Sequence, residues 1–553
     1  MMRLKGLTVL IGVVPLTVFA QAVHYPPPVR ARHAMVVTAE RQATRAGLAV
    51  LQSGGNAIDA AVAVGYALAV TDPCCGNLGG GGFMIYRPAH GRARFLDFRE
   101  VAPRAATPDL YLNRQGEPIL GLSLYSWKAT GVPGTVAGLE TARRLWGTWS
   151  RGRLLAPAIR LARRGFVLSS GDARLLAGDT RRLAQDPHAI RVFFAHGRPL
   201  AAGALLRQPA LAKTLERIAR GGARAFYDGS IARAIVAASR RHGGILSLAD
   251  FRDYRPVVTR PLRCRYHGVE VVTAPPPGGG ATLCEMLDIL SGYPLGRYGF
   301  HSASSVHFIT EAMRWAYADR NTFLGDPAFV RMPLHKLLSE RYAQSIRQRI
   351  RRHRATPSAE VHAGISVDHE GHDTTQYSIV DRLGNAVSVT YTLNTFFGTG
   401  FMAPHTGFFL NNEMDDFTTA PGHPNAYGLV QGPVNAIAPG KRPLSSMTPT
   451  IVTRKGRLFI VTGSPGGSTI TTTVLQVILN LVNYHLGASA AVDAPRFHMQ
   501  WQPDMIYYEP GAFSKRTMDL LRHWGYRFQA GSPWGSRTVG GCRECDRDTI
   551  RLA

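Results

Sequence analysis

The sequence predicts an α+β protein, and three features lead there. Residues 377–380 and 386–393 alternate apolar and polar side chains on either side of a Gly384-Asn385 turn, the pattern of an antiparallel hairpin. Residues 135–255 are mainly helical and amphipathic, broken at Gly165, Gly171 and Gly221-Gly222. Residues 450–453 and 458–462 read as strands, and the second leads through Gly463-Ser464-Pro465-Gly466-Gly467-Ser468 into an apolar helix over 469–485. A chain of 553 residues buries a large core, in more than one domain or in one large layered domain.

Taken in order, the chain begins with Arg3 and Lys5, an apolar run over 6–19, and small residues at Ala20 and Ala22. This is the pattern of an export signal over residues 1–22, cut after Ala20 or Ala22, and it implies a periplasmic protein. The run is short for a membrane span, so an uncleaved anchor is the lesser reading. The Pro-rich segment 24–28 reads as a tether. Residues 33–70 hold two helical patterns; the second, 55–70, is apolar on nearly every side and should be buried. Asp59 and its short length argue against a membrane helix. The glycines of 77–82 precede strands over 83–87 and 94–98. They lack the lysine of a phosphate loop, so tight backbone packing is their reading. Residues 269–274 form a strand ended by Pro275-Pro276-Pro277-Gly278-Gly279-Gly280, which opens a helix through Leu290. Helices follow over 302–321 and 333–352. Residues 354–373 are polar and aperiodic, a linker. Its His369-Glu370-Gly371-His372 is one residue short of a zinc-protease motif, and Gly371 spoils the helix that motif needs, so no metal is expected.

Hydrophobic content of 45% and charged content of 18% belong to a folded chain. The net charge of +27 raises nucleic acid as a partner. The basic residues are scattered arginines with no zinc-finger spacing or RNA-binding aromatic signature, so no nucleic-acid partner is expected. Six cysteines stand at 74, 75, 264, 284, 542 and 545. Adjacent Cys74-Cys75 is expected not to bridge, while export permits disulfides elsewhere. Cys542-Arg-Glu-Cys545 lacks the second pair of a zinc site and the setting of a redox motif. It reads as a non-catalytic disulfide or free thiols.

The chemistry concentrates at Thr374. If the bond before it is cut, the freed α-amine serves as base for its own hydroxyl, whereas an ordinary strand threonine has no such partner. The glycine loop 463–468 ahead of a helix offers outward N–H groups, suited to an oxyanion or merely to a tight turn. Several separated segments carry a resemblance: residues 372–400, Asp97-Phe98-Arg99-Glu100, 410–417, 424–428, 441–447, 463–468 and 493–498. As an ordered set they resemble the γ-glutamyltranspeptidases, glutathione hydrolases of bacterial type, from about residue 34 to about 524.

The resemblance implies an N-terminal-nucleophile hydrolase with an αββα four-layer sandwich. It implies a precursor that cuts itself between Asp373 and Thr374 into a large subunit, 23–373, and a small one, 374–553, which pair as a heterodimer. Thr374 is then the nucleophile, Thr392 orients it, and the amides of Gly466 and Gly467 hold the oxyanion. Arg99, Ser445 and Ser446 would bind the α-carboxylate of a γ-glutamyl group; Asn394, Glu413 and Asp416 would surround its ammonium. Position 413 is Glu where some bacterial relatives have Gln, which makes the pocket more acidic. Tyr427 resembles a lid tyrosine on a mobile cover over 421–432. The implied reaction is γ-glutamyl transfer from glutathione and related compounds to water, amino acids or dipeptides, without a cofactor and without a stable membrane span. The rivals are a cephalosporin-type acylase or poly-γ-glutamate transpeptidase on the same fold, and an unprocessed, inactive exported homologue. From about residue 531 the tail departs from the family's Gly-rich closing strands.

Overall fold

The computed structural model describes residues 29–361, 374–420 and 422–531, with backbone alone at 551–552. The expected export signal, residues 362–373 of the expected linker including Asp373, and Cys542-Arg-Glu-Cys545 lie outside the described residues.

Strand alternation builds the architecture. One sheet has six antiparallel strands in the spatial order Met35–Val37, Thr375–Val380, Ala386–Thr392, Gly81–Arg87, Arg94–Asp97 and Val257–Thr259. The second runs Arg551–Leu552, Arg457–Thr462, Thr450–Arg454, Val269–Thr273 and Leu262–Tyr266, antiparallel except where 551–552 lies parallel to its neighbour. Because successive side chains point to opposite faces, Phe83, Ile85 and Val380 of the first sheet meet Val272, Ile451 and Val461 of the second in one core. Met84, Tyr377, Val387 and Val389 turn the other way, into a helical layer that includes Ala57–Thr71 and Thr135–Trp146. Val271, Val452 and Ile460 pack outward on Gly280–Leu290, Ala303–Phe323 and Thr469–Val482. The result is helix, sheet, sheet, helix, as expected. Burying each large apolar side chain is worth about 1.5–3 kcal/mol, so a one-residue slip, which would swap the faces, is strongly disfavoured.

The helix Ala57–Thr71 is buried along its whole length. Asp59, its one ionisable first-turn residue, is satisfied: it accepts from the N–H groups of Asn56, Thr148 and Trp149 and from the Thr148 hydroxyl. A carboxylate at the positive end of a helix is well placed. The glycine loop behaves as its composition requires. A Cβ on Gly80 would stand 1.9 Å from the carbonyl oxygen of Thr392, and one on Gly79 would stand 2.1 Å from that of Phe409.

Several expectations need correction. Cys74 and Cys75 are bonded to each other, against expectation, whereas the Cys264–Cys284 disulfide is one that export permits. The first pair follows the tight turn closed by Cys75 N–H and Gly76 N–H on the Asp72 carbonyl, a local geometry that adjacency in sequence does not reveal. The helix expected over 469–485 ends at Val482, because His485 takes a left-handed φ of 55° and the N–H groups of Asn483 and Tyr484 both return to the Leu479 carbonyl. The helix expected over 333–352 is two, Leu334–Leu337 and Glu340–Arg349, the second started by a Ser339 cap. The first residues of the expected linker are docked: Ser358 donates to the Trp501 carbonyl (2.5 Å), and its own N–H is held by Asp504.

Candidate active site

The hairpin register creates the centre of the site. Thr375 pairs with Tyr391, so one further step sets Thr374 across from Thr392, where the sheet mouth meets the second sheet. The Thr374 hydroxyl donates to that of Thr392 at 3.3 Å, and Thr392 Oγ1 also accepts from the Asn394 N–H at 2.9 Å. Both threonines are buried. Behind them, Asn77 fixes the end of the strand: its amide donates to the Thr392 carbonyl (2.9 Å), while its oxygen accepts from Gly80 N–H and from Thr135.

The loop before Thr469–Val482 contributes the opposite wall. Gly466 has φ 129° and Gly467 φ 55°, both in the left-handed region, and a Cβ on Gly466 would lie 2.4 Å from Thr469 Oγ1. Their carbonyls accept from the N–H groups of Thr469 and Ile470. Among the described residues, neither glycine N–H donates to another group, at the positive end of a fourteen-residue helix. Two such N–H groups suit a developing negative oxygen.

A cavity of about 20 Å³ joins these parts, lined by Thr374, Thr392, Asn394, Gly467 and, on its charged side, Arg99, Glu413, Asp416, Ser445 and Ser446. Tyr427 lines it too, and its hydroxyl donates to the Asn394 carbonyl at 2.7 Å. Every residue expected at the site is therefore here except Gly466, which lies just behind Gly467, and Asp373, which is not described. A volume of this size takes about one water. A larger cleft, about 420 Å³, lies at the turns around His267 and Lys455, far from any paired hydroxyl chemistry.

Charge in the cavity is concentrated. Arg99 is fully buried and pairs with Glu413 and Asp416, with Glu100 at 3.6 Å. Burial opposes its charge, yet Glu413, Asp416 and Glu100 hold its proton more firmly than usual. Three carboxyls facing one guanidinium cannot all ionise cheaply. Burial pushes Glu413 well above the carboxylate range despite Arg99, raises Asp416, and brings Glu100 up to about 7. Sequence reasoning missed Arg320, Leu429, Met447 and Ile470. The three apolar residues carry no sequence signal beyond ordinary core. Arg320 stands on Ala303–Phe323 among other buried charged residues, and helical spacing alone does not say which of them reaches the cavity.

A threonine hydroxyl at the head of an inner strand of an αββα sandwich, sharing a cavity with a glycine loop at a helix N-terminus, defines the N-terminal-nucleophile hydrolase class. The sequence pattern of the gamma-glutamyltranspeptidase family matches residues 43–544, and the chain belongs to that family. It is 51% identical over 508 residues to the glutathione hydrolase proenzyme of Pseudomonas sp. strain A14, covering 92% of this chain and 88% of that one. Identity to the glutathione hydrolase proenzyme of Escherichia coli K12 is 46% over 515 residues, with the same coverage, 92% and 88%. Among solved structures, it is similar to a cephalosporin acylase from Bacillus halodurans, with TM-score 0.81, 26% identity, and coverage of 96% of this chain and 94% of that one.

Proposed function

We propose that this protein is an exported γ-glutamyltransferase and glutathione hydrolase that activates itself by cutting between Asp373 and Thr374. The observation that carries the reading is the convergence of the Thr374 hydroxyl, the Gly467 loop and the Arg99 charge cluster on one cavity. In the precursor, the Thr374 hydroxyl attacks the carbonyl carbon of Asp373, its proton passing to the departing nitrogen. Water then hydrolyses the ester, leaving a carboxylate on Asp373 and a free amine on Thr374. A peptide nitrogen is not basic, whereas an α-amine has a pKa of about 7.7–8.0, so only the cut chain carries its own general base.

That amine takes the hydroxyl proton as Oγ1 attacks the γ-carbonyl of a γ-glutamyl compound such as glutathione. The Gly466 and Gly467 amides receive the oxyanion, a stabilisation of about 3–4 kcal/mol per donor. The amine of the leaving group accepts the proton and departs, leaving a γ-glutamyl ester on Thr374. Water releases glutamate, or an amino acid or dipeptide amine gives the transfer product, a ping-pong scheme. At the charged end, the zwitterionic substrate would divide the Arg99 cluster, its carboxylate taken by Arg99, Ser445 and Ser446 and its ammonium by Asn394, Glu413 and Asp416. Two subunits from one precursor remain paired, since strands from both sides of the cut share each of the two large sheets. Export to the periplasm rests on the pattern of residues 1–22; among the described residues, no helix is long and apolar enough to cross a membrane.

Mass spectrometry of the purified protein tests the reading. The parent is expected as two fragments, the smaller running from Thr374 to Ala553, and Thr374→Ala as one intact, inactive chain. An intact parent that still releases glutamate at full rate would end it. The likeness to a cephalosporin acylase favours a second reading; cleavage of glutaryl-cephalosporins with none of γ-glutamyl-p-nitroanilide would select it.

A further inference from the structure

Arg320 is only 2% exposed, lines the same cavity as Thr374, and has no carboxylate within ion-pair reach among the described residues. Its Nη2 donates to Ser446 Oγ at 3.3 Å, its Nη1 to Asn321 Oδ1 at 2.9 Å and Gln431 Oε1 at 3.4 Å, and its Nε has no partner. A guanidinium buried against neutral acceptors is costly unless an anion comes to it.

The contact with Ser446 has a directional consequence. A hydroxyl that accepts from a fixed donor turns its own O–H elsewhere. Ser446 Oγ accepts from Arg320, and Ser445 Oγ accepts from the Met447 N–H at 3.0 Å. Both serine protons are thereby left to donate, next to Arg99. Arg99, however, is already paired with Glu413 and Asp416, whereas Arg320 feels Asp416 only from beyond ion-pair distance. Gln431, on the covering segment, ties Arg320 to the lid: its amide donates to the Asp416 carbonyl at 2.9 Å.

We propose that Arg320 is a positioning residue for the carboxylate of the acyl donor, holding Ser446 as a hydrogen-bond donor and adding a second cation to that end of the cavity. This rests on the γ-glutamyl reading above.

Three p-nitroanilides separate the possibilities: γ-glutamyl, glutaryl (carboxylate but no amine) and 4-aminobutyryl (amine but no carboxylate). For Arg320→Gln, KM is expected to rise by roughly 10- to 100-fold for the two donors that carry a carboxylate, with kcat changed by less than about threefold. KM for the 4-aminobutyryl donor should not move. Arg320→Lys should restore part of the loss. If Arg320 works through Ser446, the loss in Arg320→Gln combined with Ser446→Ala should be smaller than the product of the single losses.

Equal changes on all three donors, or none, would overturn the proposal. Should Arg320→Gln fail to fold, Arg320→Lys decides it: a KM rise confined to the two carboxylate donors supports the proposal, and an equal change on the 4-aminobutyryl donor overturns it. Failure of the parent to cleave the γ-glutamyl donor would instead sink the underlying functional reading.

Discussion

Replacing Thr392 by valine isolates what its hydroxyl does, because the shape is kept and only the oxygen is lost. Thr392 is 3% exposed, so the change is made in a packed site. Among the described residues its Oγ1 accepts from two donors, the Thr374 hydroxyl at 3.3 Å and the Asn394 N–H at 2.9 Å, and each loss appears in a different measurement. The Asn394 N–H is stranded away from water, which costs about 1–3 kcal/mol of stability whatever the chemistry. The Thr374 hydroxyl loses an acceptor that orients it; a neutral hydrogen bond of about 0.5–1.5 kcal/mol corresponds to about 2- to 13-fold in kcat. Since the same hydroxyl attacks in both reactions, self-cleavage should slow by a similar factor while KM stays within about twofold. The assays are release of p-nitroaniline from the γ-glutamyl donor, a gel time course of precursor cleavage, and urea denaturation, with Thr392→Ser as the restoring control. If Thr392→Val were less stable yet cut itself and turned over at parental rates, the hydroxyl would be a cap for Asn394 and nothing more.

Tyr427→Phe removes the hydrogen bond from the lid to the Asn394 carbonyl, so residues 422–432 should exchange amide hydrogens faster, by about five- to tenfold, with the fold otherwise intact. Burial holds the Asp72 carboxyl up at about 7, so between about pH 4 and 7 the unfolded chain has released this proton while the folded chain keeps it. This contribution to stability is complete below that window and is lost as pH rises through it. In urea titrations, Asp72→Asn should remove a drop on the order of a few kcal/mol across the window; identical pH profiles for parent and variant would refute it. Cys264 and Cys284 close a loop of sequence separation 20, so replacing both by alanine should lower stability by about 3 kcal/mol, with little change in the activity of the folded enzyme.

Much of the fold is legible in the chain because its causes are local. Alternation over 377–380 and 386–393 sorts the side chains onto two faces, but the register was not in it: Val380 pairs with Ala386 across residues 381–385, and the turn centres on Arg382-Leu383, closed by the Gly384 N–H on the Asp381 carbonyl, instead of on the expected Gly384-Asn385. The glycines of 77–82 announce close backbone approach, and the structure supplies the reason at Gly79 and Gly80. Element ends were less legible. Where the apolar helix after Ser468 stops depends on the left-handed turn at His485, and a run of apolar residues does not encode that.

The site divides in the same way. Motif by motif, the sequence by itself, through its family resemblance, singled out the candidate nucleophile, its partner threonine, the glycine loop and the residues proposed for a charged substrate end, and all of them but Gly466 and Asp373 line one cavity. Only the tertiary structure decided how those charges are spent. Arg99 and Glu413 stand 314 positions apart, and their pairing, the raised carboxyls around them and the arrival of Arg320 at Ser446 all follow from packing. Backbone periodicity and turn chemistry are properties of neighbours in the chain. Electrostatics in a buried cavity is a property of neighbours in space, and low dielectric makes each of those neighbours count.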